Sequence, residues 1–205
     1  MRFRCRPGWR RAGLSIVRRR RLTWRRAGWG LVVLACGLAS RAQVGDFSRS
    51  LAPYVPSPPP IVEKMLEAAG VRPNELVYDL GSGDGRVLIT AAKKFKARSV
   101  GIEISSKLVE RARRHIKEEG LEERCRVIEG DVRAVDFRDA DVVVLYLLTS
   151  SNEILRPSLE KNLRPGARVV SHDFEIREWN PAKVVQAEAH GRVHSIYVYE
   201  VPVSR

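Results

Sequence analysis

The residues with the most chemical content lie between Asp79 and Gly85, in the order Asp-Leu-Gly-Ser-Gly-Asp-Gly. An apolar, β-prone run precedes them, and a stretch with apolar residues at helical spacing follows. The order strand, glycine loop, helix is typical of a nucleotide-type site at the carboxyl end of the first strand of an open α/β sheet. Glycine permits the sharp turn and lets the backbone approach a ligand closely.

The spacing of the glycines argues against a dinucleotide ligand. A G-x-G-x-x-G fingerprint places a pyrophosphate over a helix N-terminus, but here Gly85 comes one residue early and Arg86 stands where the third glycine belongs. Asp79 and Asp84 add two carboxylates, which repel phosphates and suit a cationic amino-acid ligand. The alternative interpretation is an incidental glycine-rich turn.

Two further acids follow the next two predicted strands. Glu103 ends the second strand, where an acid can accept both ribose hydroxyls of a nucleoside. Asp131 follows the third strand, where its carboxylate can accept from an adenine amine while the backbone amide of Val132 reaches a ring nitrogen. The alternatives are a surface carboxylate for Glu103 and a simple turn residue for Asp131.

Taken together, these residues resemble the motif pattern of class I S-adenosyl-L-methionine (AdoMet) methyltransferases over residues 71–201. The resemblance implies a Rossmann-like α/β fold, with a mostly parallel seven-stranded sheet, a C-terminal antiparallel hairpin and helices on both faces. It also implies AdoMet, which carries an amine and a sulfonium and no phosphate, as the cofactor. The implied cofactor-binding residues are Asp79, Gly81, Ser82, Gly83, Asp84, Gly85, Glu103, Asp131 and Val132.

A narrower resemblance rests on the segment Pro53-Tyr-Val-Pro-Ser57 ahead of the glycine loop. This combination is similar to the lysine methyltransferases of the ATP synthase c subunit and the adenine nucleotide translocase, and to their small bacterial relatives. The resemblance implies a methyl acceptor that is a protein lysine amine. The alternatives are a methyltransferase for a small-molecule or membrane-associated substrate, and a noncatalytic AdoMet-binding envelope protein.

Four residues are candidates to orient the acceptor or to take its proton through water: Tyr54, Tyr146, His172 and Asp173. Tyr146 lies at the end of the predicted fourth strand and should line the methyl-transfer pocket. His172 and Asp173 follow the predicted fifth strand and should face the same crevice, although a loop hydrogen bond is an equal alternative for both. Tyr54 qualifies only if its Pro-rich segment folds back over the cofactor pocket instead of acting as a stiff spacer. The Asn/Asp-Pro-Pro-Tyr motif of many base and glutamine methylases is absent.

The elements that must position these residues follow from apolar periodicity. Asp84 is the expected N-cap of the second helix, and Pro157 is expected in the first turns of the fourth. The predicted helices are Ile61–Ala69, Gly85–Phe95, Ser105–Gly120 and Asn152–Asn162. The predicted strands are Leu76–Leu80, Ser99–Ile104, Arg126–Glu129, Val142–Leu148, Arg168–Ser171, Lys183–Ala189 and His194–Val201.

The net charge of +13 belongs to one end of the chain. Residues 1–42 contain twelve Arg, no Lys and no acid, so the rest carries 37 − 12 = 25 basic residues against 24 acids, a net charge of +1. The domain therefore gives no strong signal for a nucleic-acid partner. Cys125 is the only cysteine after residue 42, and no His, Cys or Asp cluster has the spacing of a metal site.

The chain divides into three parts. Residues 1–42 form an Arg-rich leader whose short apolar run predicts a signal peptide or membrane anchor. Residues 43–60 are a Pro-rich linker or lid, and residues 61–205 are the catalytic domain, expected to be monomeric. The leader predicts an exported, periplasmic or membrane-associated protein, with a mitochondrial or cytoplasm-facing location as the alternative.

Overall fold

The computed structural model describes residues 51–202. The predictions for the leader and for residues 43–50 of the linker lie outside the described residues. Between residues 51 and 202, no helix combines the length and the hydropathy that a bilayer span requires.

A seven-stranded sheet, in the order β3-β2-β1-β4-β5-β7-β6, forms the centre of the domain. Strands β1 to β5 pair in parallel, β7 runs antiparallel to β5, and β6 runs antiparallel to β7. The predicted Rossmann-like architecture with a C-terminal antiparallel hairpin is thus confirmed. The elements in chain order are α1 Pro59–Ala68, β1 Leu76–Leu80, α2 Arg86–Phe95, β2 Arg98–Glu103, α3 Ser106–Glu118, β3 Cys125–Glu129, β4 Val142–Leu145, α4 Thr149–Asn162, β5 Arg168–His172, β6 Lys183–Ala189 and β7 Arg192–Glu200.

Alternate residues of the central strands face two separate cores. In β4, Val142 and Val144 pack with α1 and α2, whereas Val143 and Leu145 pack with the apolar face of α4. All four β4 residues are buried, because a parallel strand covered by helices on both faces has no solvent side. The same alternation in β1 places Asp79 on the face of α1 and α2, one residue before the glycine loop.

Two details of the fourth strand and helix differ from the sequence prediction. Strand β4 stops at Leu145, and α4 begins at Thr149, three residues earlier than predicted. The amides of Ser151 and Asn152 donate to the Leu148 carbonyl, which closes the first helical turn there. Pro157 consequently lies inside the helix and not in its first turns, so the prediction for Pro157 was wrong.

The start of α2 also differs, because Gly85 and not Asp84 is its N-cap. Gly85 has a φ of 81°, a left-handed conformation that glycine adopts without strain. The Asp84 carboxylate instead accepts from the backbone amide and the guanidinium of Arg86. Gly85 takes the N-cap position predicted for Asp84 because the turn needs a left-handed backbone at the residue before the helix.

Strand β2 passes directly beneath the glycine loop at Gly101. A Cβ at position 101 would lie 2.5 Å from the Ser82 hydroxyl oxygen and 2.7 Å from a Leu88 methyl group. Glycine is therefore required for the loop and helix α2 to approach the sheet closely.

We expect Gly101→Ala to lower the free energy of unfolding by about 1–3 kcal/mol, since the added methyl group overpacks this contact. Gly130→Ala is the matched control, because its Cβ would meet nothing closer than 3.7 Å. Urea denaturation of both variants measures the difference, and equal stabilities would contradict the close approach.

Candidate active site

The glycine loop is fixed to the end of β2 by its own backbone. The amides of Gly81 and Ser82 both donate to the Ile102 carbonyl, at 2.9 and 3.0 Å. The Gly83 amide donates to the Glu103 carboxylate at 2.9 Å, and the other Glu103 oxygen accepts from the Ser105 amide at 2.8 Å. Each carboxylate oxygen has two lone-pair sites, so Glu103 retains acceptor capacity for ligand hydroxyls.

Asp79 is a buried acid in a crowded group of carboxyls. Burial, together with the charges of Glu103 and Asp84, raises the pKa of Asp79 to about 8. An acid in this state ionises readily when a cation arrives beside it. This donor set fits AdoMet, whose amine and sulfonium supply positive charge, and it does not fit a phosphate ligand.

Asp131 lies beyond β3, where the structure brings it near the end of β2 through a hydrogen bond from the Gly130 amide to the Glu103 carbonyl. Its carboxylate is held by the Arg133 guanidinium and by the Arg133 backbone amide. A role at an adenine amine therefore requires Asp131 to share its oxygens with Arg133. Val132, the neighbouring candidate, is partly buried against the α4 face of the core.

Residues 51–58, which we call the strap, fold back over the glycine loop, as one of the two interpretations of the Pro-rich segment predicts. The Tyr54 ring lies against Gly83, where a Cβ would be only 2.6 Å from a ring carbon. Burial and the charge of the nearby Asp84 carboxylate raise the pKa of Tyr54. The Leu51 carbonyl accepts a hydrogen bond from the Ser151 hydroxyl at the start of α4. Gly83 is thus required to admit the aromatic cover.

Arg86 explains the departure from the dinucleotide pattern. Its guanidinium forms two hydrogen bonds to the Asp84 carboxylate, at 2.9 and 2.7 Å, and a third to the Ser57 carbonyl at 2.8 Å. Arg86 therefore joins the glycine loop to the strap. The glycine spacing showed that Arg86 departs from the dinucleotide pattern, but nothing in the sequence indicated that it binds Asp84 and Ser57.

Tyr146 and His172 stack on one another behind the strap, with ring centroids 3.9 Å apart. The His172 side chain is 0% exposed, which corrects the prediction that it faces the crevice. Burial is the main cause that lowers the pKa of His172 to about 4, so the ring is neutral at pH 7. Tyr146 is partly exposed, and burial raises the pKa of its hydroxyl, which stays protonated.

The Asp173 carboxylate turns toward the final hairpin and not toward the crevice. It accepts from the Ser195 amide at 3.0 Å, lies 3.1 Å from Nδ1 of His194, and pairs with Arg192. His194 was not among the predicted site residues. It is 22 residues from His172 but reaches it because β7 pairs with β5. The only indication of it in the sequence is the alternation along β7, in which His194 shares a buried face with Ile196 and Val198.

His172, Asp173 and His194 offer potential metal-ligand atoms that lie within 4.8 Å of one another. This proximity could not be read from the sequence spacing. In the structure the Arg192 guanidinium supplies the positive charge beside Asp173, and the two imidazoles hydrogen-bond each other at 2.9 Å. The charge and the hydrogen-bonding groups of His172, Asp173 and His194 are therefore paired with protein groups.

Fold and site together define a class I AdoMet-dependent methyltransferase. The parallel sheet presents a glycine loop and three acids at the carboxyl ends of β1, β2 and β3, and these groups suit a nucleoside that carries a cationic amino acid.

The family model of the ANTKMT methyltransferase domain matches residues 79–183, and the chain belongs to this family. A protein-lysine N-methyltransferase from Saccharolobus islandicus is 47% identical over 150 residues, which cover 73% of this chain and 93% of the relative. The adenine nucleotide translocase lysine N-methyltransferase of Mus musculus is 35% identical over 133 residues, 65% of this chain and 58% of the relative.

A solved structure supports the same fold and cofactor. It is that of an RNA methyltransferase from Salinibacter ruber in complex with S-adenosyl-L-homocysteine, and it is 45% identical to this chain with a TM-score of 0.68. The match covers 72% of this chain and 94% of that one. The enzyme is thus an AdoMet-dependent methyltransferase.

The raised pKa of Asp79 predicts opposite effects of Asp79→Asn on stability and on binding. Because the folded pKa is about 8 and the ordinary value is 3.8, wild-type folding takes up a proton between these values. Its stability therefore falls as pH rises from 4 to 8. We expect the asparagine variant to melt at a higher temperature, with the difference growing up to about pH 8.

The same variant should bind AdoMet at least about tenfold more weakly, because it lacks the carboxylate that pairs with a cation. Calorimetry at pH 7 in two buffers should show proton release on binding for the wild type and none for the variant. Asp136→Asn, at an exposed position, is the control. Equal proton release in wild type and Asp79→Asn would refute this account of the site.

Proposed function

We propose that the enzyme transfers a methyl group from AdoMet to the side-chain amine of a lysine in a protein. The observation that carries the proposal is the 47% identity to a protein-lysine N-methyltransferase, over 93% of that relative's length. Two further relatives, from mouse and human, are named for lysine methylation, although the chain spans only 58% and 56% of their lengths.

In the cofactor site that we propose, the ends of β1, β2 and β3 each hold a different part of AdoMet. The loop of Gly81, Ser82, Gly83, Asp84 and Gly85, with Asp79 beneath it, would hold the cationic amino-acid part of the cofactor. Glu103 would accept the ribose hydroxyls, because its carboxylate is already aimed by two backbone amides. Asp131 and Val132 would bound the adenine.

When bound, AdoMet supplies an electrophilic methyl group that a nucleophile accepts, with S-adenosylhomocysteine leaving. The residues of this chain align the acceptor and exclude water. A lysine amine must be neutral to react, although its ordinary pKa is about 10.4. Desolvation beneath Tyr54 and beside Tyr146 favours the neutral amine, because an unpaired charge is costly away from water.

Among the four catalytic candidates, we assign Tyr54 and Tyr146 to direct contact with the acceptor. Tyr54 covers the glycine loop from the strap, and Tyr146 follows β4 at the same edge of the sheet. His172 is enclosed against the Tyr146 ring and supports it, and the Asp173 carboxylate is bound to the final hairpin, so we assign neither residue to contact with the acceptor.

RNA is the competing acceptor, because the similar protein from Salinibacter ruber is named an RNA methyltransferase. The charge of residues 43–205, a net +1, argues against it. A protein that binds RNA through its phosphates needs a basic surface, since neutralised phosphates provide most of the nonspecific affinity.

The direct test uses the full chain with methyl-labelled AdoMet and, in parallel, a protein lysate, total RNA and extracted lipid. We expect label in protein, and methyl-lysine after acid hydrolysis, with less label for Asp79→Asn at an AdoMet concentration below its Kd. Label confined to RNA or to lipid would overturn the proposal. With saturating AdoMet, the rate on protein should rise with pH above 7, since the neutral fraction of lysine rises.

The two tyrosines should separate binding from turnover. Tyr54→Ala removes the cover of Gly83, so we expect the Kd for AdoMet to rise about tenfold, whereas Tyr54→Phe keeps the ring and should change it less. Tyr146→Phe should lower kcat about tenfold or more and leave the Kd unchanged, because the hydroxyl acts on the acceptor. The same change in Kd for both positions would contradict this division.

A further inference from the structure

A chain of four polar side chains runs from Asp173, just after β5, through the two histidines of β7 and β5 to the strap. The Asp173 carboxylate lies 3.1 Å from His194 Nδ1, which lies 2.9 Å from His172 Nε2. The other His172 nitrogen, Nδ1, lies 2.9 Å from the Ser57 hydroxyl. His172, His194 and Ser57 are each at most 5% exposed, so water competes little for these hydrogen bonds.

The carboxylate end of the chain fixes where the protons are. Asp173 accepts from the Ser195 amide and from the Arg192 guanidinium, so its carboxylate oxygens are acceptors. Two ring nitrogens lie near its Oδ2 atom, His194 Nδ1 at 3.1 Å and His172 Nε2 at 3.4 Å, and only the first makes a hydrogen bond to it. His194 Nδ1 therefore carries the proton, since two lone pairs 3.1 Å apart would repel.

The proton on His194 determines the tautomer of His172. Two N–H groups cannot face each other at 2.9 Å, so the His172 Nε2 atom beside the protonated His194 Nδ1 carries no proton and is an acceptor. An imidazole ring keeps at least one proton on its two nitrogens. That proton is therefore on Nδ1, and it is donated to Ser57.

Ser57 connects this chain to the cofactor site. Its hydroxyl is held by His172, and its carbonyl accepts from Arg86, which also binds the Asp84 carboxylate of the glycine loop. The residue is three positions from Tyr54, which covers Gly83. One residue of the strap is thus anchored at two points, and both anchors hold the tyrosine over the loop.

We propose that Ser57 and His194 are positioning residues for cofactor binding: His194 sets the tautomer of His172, which then holds Ser57 and keeps Tyr54 closed over the glycine loop. The inference rests on the proposed cofactor site and not on the identity of the methyl acceptor. It assigns a role to the buried His172 that requires no contact with the acceptor.

The tautomer is tested by nitrogen NMR of the histidine rings in the full chain. We expect His172 Nδ1 to have the shift of a protonated ring nitrogen and Nε2 that of an unprotonated one. The opposite assignment would overturn the proposal, and this measurement needs no variant that might fail to fold. Excess EDTA should leave the spectrum unchanged, and a change would show that a metal ion, not a proton, links the rings.

The coupling to the strap is tested by the rate of AdoMet dissociation in stopped flow. Ser57→Ala should raise this rate about five- to tenfold, as expected for the loss of one hydrogen bond. His194→Ala should raise it similarly. His194→Asn should restore the rate, because its amide can place a donor where Nδ1–H lies.

His190→Asn is the matched control, since this exposed residue of the same hairpin has a φ of 52°, which asparagine tolerates. An unchanged dissociation rate in folded Ser57→Ala, or equal rates for His194→Asn and His194→Ala, would overturn the proposal. Neither measurement uses a methyl acceptor. A failure to methylate lysine would therefore not change the NMR result or the AdoMet dissociation rates. Conversely, unchanged dissociation rates would not alter the result of the lysine methylation assay.

Discussion

The structure depends on the crowding of carboxyl groups at the carboxyl ends of β1 and β2. Asp79 is buried between the charges of Glu103 and Asp84, and the arrangement is unfavourable without a cation. Backbone amides fix Glu103, and Arg86 neutralises Asp84, so the unbalanced acid is Asp79. Burying Asp79 lowers the stability of the folded protein, and this free energy is recovered when a positively charged ligand binds. The same buried acid therefore lowers the stability of the free protein and raises its affinity for the ligand.

The sheet holds this crowded site through long-range packing. Gly101 lets the loop lie on β2, Gly85 turns the chain into α2, and the strap closes the third side with Tyr54. The turn at Gly85 is local, but the contacts of Gly101 and of the strap join residues distant in sequence, so the site is assembled only when β2 and the strap are in place. Support for Tyr146 comes from the neighbouring strand β5, through His172, which contacts His194 of the final hairpin.

The cofactor loop, the three acids and the order of the elements could be predicted because each depends on local pattern: alternation, helical spacing and glycine position. The start of α4 and the place of Pro157 could not, since the turn at Leu148 is set by hydrogen bonds that no periodicity shows. The partners of Arg86 and the role of His194 also escaped prediction, because they depend on strap docking and strand pairing. His172 was found by its position after a strand, but its burial behind Tyr146 depends on tertiary packing.

The contact between Ser57 and His172 joins residues 115 positions apart, and His194 lies later still. During synthesis the strap and the glycine loop leave the ribosome long before β7 does. A nascent chain can therefore form the loop and its acids while the cover over them is still unsecured. If these contacts hold Tyr54 over the loop as proposed, capture of the cofactor waits until the last strand has paired, and a chain truncated before β7 would retain the motif and lose its hold on the ligand.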